Sequence, residues 1–246
     1  MKTKSTEGLS IVIPLFNENE NVKHLVDKII DFKNTIDFNF EIILVDGCSN
    51  DGTQNSLLNS IQSNNLHECI NLVLMNSKEG YGHDIMSGLM QSKFNHMAWT
   101  HADLQTDLND VMKGFYILKN NPSTIIVKGN RKGRKLIDSF LTKAMQIYTF
   151  FKIGLNIHDI NAQPKIFSRD FYDLLISKKN APKDFSLDLF MLIHAKKENY
   201  LIKSFTVKFN KRKFGVAKGG GGSLKNRIDL IKRTLRYIND TSKKIN

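Results

Sequence analysis

Apolar residues in this chain fall into short, nearly unbroken runs that alternate with stretches where they recur every three or four positions. Leu9-Ser10-Ile11-Val12-Ile13-Pro14 reads as a buried strand stopped by proline. The turn Leu15-Phe16-Asn17-Glu18-Asn19 then leads into a helix with the apolar stripe Val22, Leu25, Val26, Ile29 and Ile30. Glu41-Ile42-Ile43-Leu44-Val45-Asp46 predicts a second strand ending in an acid, followed by a turn, Gly47 to Thr53, in which Asn50 or Asp51 is placed to cap the next helix. Leu72 to Met75 predicts a third strand, and Glu79-Gly80-Tyr81-Gly82-His83 opens a helix through Met86, Leu89 and Met90. Met97 to Thr100 predicts a fourth strand, and a helix starts near Asp107. Thr124 to Lys128 predicts a fifth strand and Leu201 to Phe209 another. This alternation predicts an α/β fold, a mainly parallel sheet flanked by helices on both faces, which binds ligands at the carboxyl ends of its strands.

The nearly continuous apolar segment from Phe140 to Leu155 fits a helix buried in the domain or pressed on a lipid surface, with burial in the core the expectation. Four glycines, Gly219 to Gly222, cannot hold regular structure and predict a hinge. Beyond them Leu224, Ile228, Ile231, Leu235 and Ile238 recur at helical spacing, with Lys225, Arg227, Lys232, Arg233 and Arg236 on other faces. That pattern suits a helix docked on the domain or lying in a membrane interface. The chain thus divides into a domain over residues 1–218 and a Gly-rich hinge with a basic amphipathic helix over 219–246.

Composition adds location and partner. The 246 residues, 41% of them hydrophobic, suffice for one sizeable core. No apolar run approaches the ~18 residues of a membrane span, and residues 1–8 lack the apolar core of a signal peptide. Cys48 and Cys69 form neither a metal quartet nor a disulfide framework, so a cytoplasmic location is expected. From Lys203 to Asn246 thirteen Lys or Arg face two acids, which places +11 of the net +12 in that stretch. Charge so concentrated points to an anionic partner, a membrane surface or phosphate groups, and to peripheral attachment at the inner face of a membrane. No nucleic-acid partner is expected.

The stretch Trp99-Thr100-His101-Ala102-Asp103-Leu104-Gln105-Thr106-Asp107 carries the sharpest chemistry. The strand delivers His101, Asp103 and Gln105 at alternate positions just where it ends, so all three side chains can point the same way and could hold a divalent cation against a diphosphate. Asp46 ends a strand where ribose and base hydrogen bonds are made, and Gly80 and Gly82 let backbone approach a ligand. Gly80-Tyr81-Gly82 is neither a dinucleotide fingerprint nor a P-loop. Gly129-Asn130-Arg131-Lys132-Gly133-Arg134 sets three cations at a strand end, suited to a diphosphate or to a solvated loop. Asp159 to Pro164 and Asp184 to Asp188 are two further polar clusters, the second at a helix start.

Taken in order, these stretches resemble the family 2 glycosyltransferases of GT-A fold, and within them the dolichyl- or polyprenyl-phosphate mannose synthase-like branch. The resemblance covers roughly residues 9–218. Pro14-Leu15-Phe16-Asn17-Glu18 is similar to the family's Pro-x-Tyr-Asn-Glu, and Val45-Asp46-Gly47-Cys48-Ser49-Asn50-Asp51-Gly52-Thr53 to its Val-Asp-Asp-Gly-Ser-x-Asp-Gly-Thr. His101-Ala102-Asp103-Leu104-Gln105 resembles the metal motif Asp-Ala-Asp-Leu-Gln, and Gly129-Asn130-Arg131 the later Gly-Ser-Arg. Arg212 to Lys218 resembles Arg-x-Gly-x-Ser-Lys, shifted by one residue. Gly47 stands where the second acid of the pair is, His101 where the first metal-motif Asp is, and Ala217 where the serine is.

The resemblance implies that Pro14, Phe16, Glu18 and Asp46 contact the base and ribose of a nucleotide sugar. It gives Mn2+ or Mg2+ to His101, Asp103 and Gln105, and the phosphates to Arg131, Arg212 and Lys218. The activity it implies is inverting transfer of a sugar from a nucleotide diphosphate to a polyprenyl phosphate or a cell-surface glycan. A ligating His101 favours manganese over magnesium. Asp103 anchors the metal in that reading. Asp188 is the candidate general base for a hydroxyl acceptor, with Asp184 capping its helix. Two alternatives stay open: a catalytically inactive nucleotide-sugar binding module, and a nucleotidyltransferase, which would carry a Gly-rich loop after its first strand where this chain has Pro14-Leu15-Phe16-Asn17.

Overall fold

The computed structural model describes residues 6–121, 124–134, 136–178, 180–215 and 224–243. In chain order the elements are β1 (Thr6–Leu15), α1 (Asn19–Thr35), β2 (Phe40–Asp46), α2 (Thr53–Ser63), β3 (Ile70–Leu74), α3 (Tyr81–Gln91) and β4 (Phe94–Trp99). They continue with α4 (Asn109–Lys119), β5 (Ile125–Lys132), α5 (Leu136–Ile153), β6 (Lys165–Ser168), α6 (Arg169–Ser177), α7 (Ser186–Lys197), β7 (Leu201–Lys208) and α8 (Leu224–Ser242). The strands form one seven-stranded sheet in the order β3-β2-β1-β4-β6-β5-β7. All neighbours are parallel except β6, which runs antiparallel to both β4 and β5.

The unbroken apolar runs of β1 and β2 arise because both sheet faces are covered. Ile11, Ile13, Ile42 and Leu44 face α1, α2 and α4, packing with Leu25, Leu57 and Phe115. Val12, Ile43 and Val45 face α3, α6 and α7, packing with Ile85, Phe171 and Phe190. Helix α7 is buried on nearly every side, from Ser186 to Ile193. A third cluster joins Ile153, Leu189 and Ile193 to Ile238 of α8, so α8 docks on α5 and α7.

The structure departs from the sequence expectations at four places. β5 continues through Gly129-Asn130-Arg131 to Lys132, paired with β7 along that length, so Arg131 lies on a strand rather than in a loop. β6, only four residues long and opening with Lys165, escapes the apolar-run pattern. Helix α2 is capped at Gly52 (φ +93°) rather than at Asn50 or Asp51, although Asp51 still accepts from Thr53 N at 3.1 Å. Helix α5 is not core: Phe140 is 72% and Phe151 80% exposed, with Ile147 and Phe150 on the same open face. The glycine run 219–222 lies outside the described residues. No described helix is long and apolar enough to cross a membrane.

Candidate active site

The carboxyl ends of β1 and β2 are stitched together by the two loops that follow them. Asn17, in the left-handed region at φ +54°, accepts from Asn50 N at 2.9 Å and donates its own backbone N–H to Ser49 Oγ at 2.8 Å. Glu18 N donates to Thr53 Oγ1 at 2.9 Å. Asp46 is fully buried at the end of β2; its Oδ2 accepts from Ser49 N at 2.9 Å and Gln54 Nε2 at 2.6 Å, while its Oδ1 has no partner. Pro14 pairs with Val45 in the sheet register, which sets Phe16 beyond the strand end, where Lys78 Nζ lies 3.8 Å from the ring centroid. The result is a shallow slot with an aromatic face, a buried acid and a cation at its rim.

The second part begins where β4 stops. The strand ends at Trp99, residues 102–106 bend, and Leu104 is left-handed (φ +57°), so strand alternation does not carry His101, Asp103 and Gln105 to one side. Hydrogen bonds arrange them instead. Asp103 Oδ1 accepts from Gln105 N at 3.1 Å, and Gln105 is tied to Asn210 twice, Nε2 to the Asn210 carbonyl at 3.0 Å and the Asn210 N–H to the Gln105 carbonyl at 2.8 Å. Arg212, two residues further on, donates from Nη2 to Glu18 Oε2, from Nε to the Phe214 carbonyl at 2.7 Å, and brings Nη1 within 3.8 Å of Asp103 Oδ2. Burial still raises the Glu18 carboxyl above its ordinary range, against the pull of Arg212 and Asn21. Phe214 stacks on His24 at 4.1 Å, latching this segment onto α1.

His101 faces Tyr81, with ring centroids 5.8 Å apart, and Tyr81 stacks on Phe185 at 4.3 Å. Burial lowers the His101 pKa despite Asp103 and Asp188 nearby, which keeps the imidazole neutral and able to ligate. Among the described residues no group of three or more His, Cys, Asp or Glu side chains stands ready to hold a metal ion. His101 and Asp103 offer an imidazole nitrogen and carboxylate oxygens, donor types that a divalent cation takes.

Behind these loops lies a buried polar layer. Lys165 and Asp188, both essentially inaccessible, pair at 2.5 Å, and Asp188 Oδ1 also accepts from Gln163 Nε2 at 3.0 Å. Gln163 Nε2 also donates to the Tyr81 hydroxyl at 3.1 Å, linking the pair to the ring against His101. Burial, reinforced by the Lys165 charge, pushes the Lys128 ammonium down to about 7. Arg131 makes a bidentate pair with Asp159, Nη2 to Oδ1 at 2.5 Å and Nε to Oδ2 at 3.2 Å. Burial alone would raise the Asp159 carboxyl, yet Arg131 holds it below the usual range. The N-cap of α7 is Phe185 rather than Asp184, which lies one residue earlier and accepts from Ser186 N at 2.9 Å. Lys218 lies outside the described residues.

The sheet and its covering helices have counterparts in known proteins. The family model for glycosyl transferase family 2 matches residues 10–176. The chain belongs to that family. The undecaprenyl-phosphate 4-deoxy-4-formamido-L-arabinose transferase of Photorhabdus laumondii is 24% identical over 213 residues, 80% of this chain and 63% of that protein. An uncharacterized glycosyltransferase of Synechocystis sp. is 32% identical over 102 residues, 41% of this chain and 30% of its own length. The chain therefore spans less than two thirds of either relative. Glucosyl-3-phosphoglycerate synthase from Mycobacterium tuberculosis, crystallised with Mn2+, UDP and glucosyl-3-phosphoglycerate, superposes with a TM-score of 0.73 at 16% identity over 98% of this chain and 81% of that one. That likeness shows the fold, which is GT-A.

Several residues of this family 2 chain around the site carry signals that motif reading passes over. Lys128 directly follows the apolar run Ile125-Ile126-Val127 and Lys165 directly precedes Ile166-Phe167, while Asp188, already marked by its polar cluster, interrupts the run Leu187 to Ile193. A lone charge in a run destined for burial needs a buried partner, and the topology brings these together where β6 inserts between β4 and β5. Asp84 gave no such cue, because its surroundings are set by segments distant in sequence, whereas Gln163 belongs to the polar cluster Asp159 to Pro164.

Proposed function

We propose that the chain transfers a sugar from a nucleotide diphosphate sugar to a polyprenyl phosphate, with inversion at the anomeric carbon. The observation that carries this reading is Arg212: one guanidinium touches Glu18 beside the base slot and reaches Asp103 of the metal motif. The two ends of the cleft therefore lie within the span of one diphosphate. Phe16 and Asp46 take the base and ribose, and Arg212 and Arg131 steady the phosphates. Asp103 and His101 hold the metal that the Mn2+-bound synthase of the same fold uses. A bound Mn2+ or Mg2+ offsets the charge that grows on the leaving diphosphate. The acceptor oxygen bonds to the anomeric carbon as the bond to the diphosphate breaks and its electron pair leaves with the nucleotide.

Two observations favour a lipid phosphate over a sugar hydroxyl. A phosphate arrives ionised and needs no base, whereas a hydroxyl must lose a proton; Asp188 is held under the surface by Lys165 and Gln163. Beside the basic helix α8, α5 presents Phe140, Ile147, Phe150 and Phe151 outward with Lys143 and Lys152, a face suited to lying on an anionic membrane. The arabinose transferase relative is named for an undecaprenyl-phosphate acceptor. The test is transfer from pooled nucleotide sugars to undecaprenyl phosphate in phosphatidylglycerol vesicles with Mn2+. Lipid-linked sugar formed by the parent and lost in Asp103→Ala is the expected result; release of free sugar alone, or transfer only to a soluble glycan, overturns the acceptor assignment.

A further inference from the structure

At the base slot one acid is missing and another is in excess. Gly47 stands where the family motif carries its second acid. Its backbone is not in the left-handed region, so nothing in its conformation demands glycine. A Cβ built there would lie 2.5 Å from Asp84 Oδ2 and 3.2 Å from the Asp84 carboxyl carbon, with the Leu15 carbonyl next at an ordinary 3.4 Å. The space of a side chain at position 47 is thus filled by a carboxyl group delivered from the first turn of α3.

That carboxyl group has no evident structural use. Asp84 is only 5% exposed, its Oδ1 accepts no hydrogen bond, and the nearest cationic group is His83, whose Nδ1 lies 3.9 Å away and is itself unpartnered. Asp46, whose charge acts on Asp84, has its own Oδ1 buried and unpartnered. Buried carboxylate oxygens without donors are costly and rarely left so. Glu79 adds a further acid on the His83 side, so no protein cation other than His83 is paired with Asp84 among the described residues. Two such oxygens, on Asp46 at the end of β2 and on Asp84 in the first turn of α3, ask for a ligand that brings donors.

We propose that Asp84 replaces from helix α3 the acid absent at Gly47, and that with Asp46 it reads the base of the bound nucleotide by accepting two adjacent N–H groups. Guanine offers such an edge, N1–H beside the N2 amino group; uracil offers one N–H between two carbonyl oxygens, which a second carboxylate repels. The inference rests on the nucleotide-sugar reading of the site and adds its base specificity and an unassigned residue.

The experiment is calorimetric titration with GDP and with UDP, each with Mn2+ at pH 7.5. It uses the parent, Asp84→Ala, Asp84→Asn, Gly47→Asp and the double variant Gly47→Asp/Asp84→Ala. The parent should bind GDP at least tenfold more tightly than UDP. Both single changes at Asp84 should weaken GDP at least tenfold and UDP far less. Gly47→Asp alone should lose binding, because its side chain meets the Asp84 carboxyl, and the double variant should recover GDP affinity to within threefold of the parent. For the Asp84 variants and the double variant, an unfolding midpoint no lower than the parent's shows that the fold is intact. A parent that prefers UDP, Asp84 variants that hold GDP as the parent does, or a double variant no tighter than Asp84→Ala each overturn the proposal. A parent that binds neither nucleotide fails the nucleotide-sugar reading itself, and the base assignment falls with it.

Discussion

Replacing Asp84 by Asn should make the protein more stable at pH 8 and leave it nearly unchanged at pH 5. Burial, with the Asp46 charge acting in the same direction and His83 against it, raises the Asp84 carboxyl from 3.8 to about 6. The folded chain therefore holds this proton more tightly than the unfolded chain does. As pH rises between these two values the folded state carries the extra proton, so stability falls through that window and stays lower above it. A displacement of about two pKa units is worth ~3 kcal/mol at pH 7 and above. Asn is the same size and carries no charge, so it removes this cost while its amide retains a polar-burial cost of ~1 kcal/mol. The net gain at pH 8 is about 2 kcal/mol, which raises the unfolding midpoint of a chain this long by roughly 4–8 °C. Urea and thermal unfolding of parent and variant at pH 5, 6, 7 and 8 measure it. A variant that is displaced equally at every pH, or is less stable at pH 8, would refute the argument that an unpaired carboxylate is held there against its own preference.

Asp103→Ala in the presence of Mn2+ should cut transfer by two orders of magnitude or more with an unchanged midpoint, since the side chain lies at the cleft surface; activity within a few-fold of the parent would remove His101 to Gln105 from the chemistry. Lys165→Met should cost about 3–5 kcal/mol by leaving Asp188 buried and unpaired, and Lys165→Met/Asp188→Leu should cost much less, as urea midpoints will show. Lys128 titrates near 7 in the fold against 10.5 outside it, so its burial costs most below pH 7; Lys128→Met should stabilise by more at pH 6 than at pH 10. Phe140→Asp/Phe151→Asp should lower affinity for phosphatidylglycerol vesicles at least tenfold without lowering the midpoint, both side chains being mostly exposed. Charge reversal at Lys232, Arg233 and Arg236 tests the basic helix better than its removal, which would uncover Leu189 and Ile193 under Ile238.

The strands of the first half were legible because β1, β2 and the end of β4 are buried on both faces and read as nearly continuous apolar runs. β6 was not, since four residues opened by a lysine look like a loop until β4 and β5 are known to stand apart with room for one strand. Helix α5 misled for the opposite reason. Its hydrophobicity is strong, but only the part of it around Ile153 reaches the core, and no local pattern says which partner the open face has. At the site, Asp46, Asp103 and Arg212 were legible as charges near strand ends. The place of Asp84 was not, because it is fixed by the contact between α3 and a glycine far away in sequence.

Charge pairing before any ligand arrives is the common feature of the two arginines proposed to bind the phosphates. Arg131 is committed to Asp159, and Arg212 to Glu18 with Asp103 close by. The ion pair of Arg212 with Glu18 adds to the stack of Phe214 on His24 in closing the segment around residue 212 on α1. Paired, the two arginines sit in fixed directions, and an incoming diphosphate meets donors already oriented, so less side-chain entropy is lost on binding. Glu18 and Asp103 sit on either side of the Arg212 fork, so a ligand that draws Arg212 to its phosphates frees Asp103 for a metal in the same movement. Arg212→Lys cannot hold both acids at once with a single ammonium. It should therefore weaken nucleotide and metal binding together, and titration of UDP or GDP at varied Mn2+ will show whether the two losses are coupled; independent losses would separate Arg212 from the metal motif.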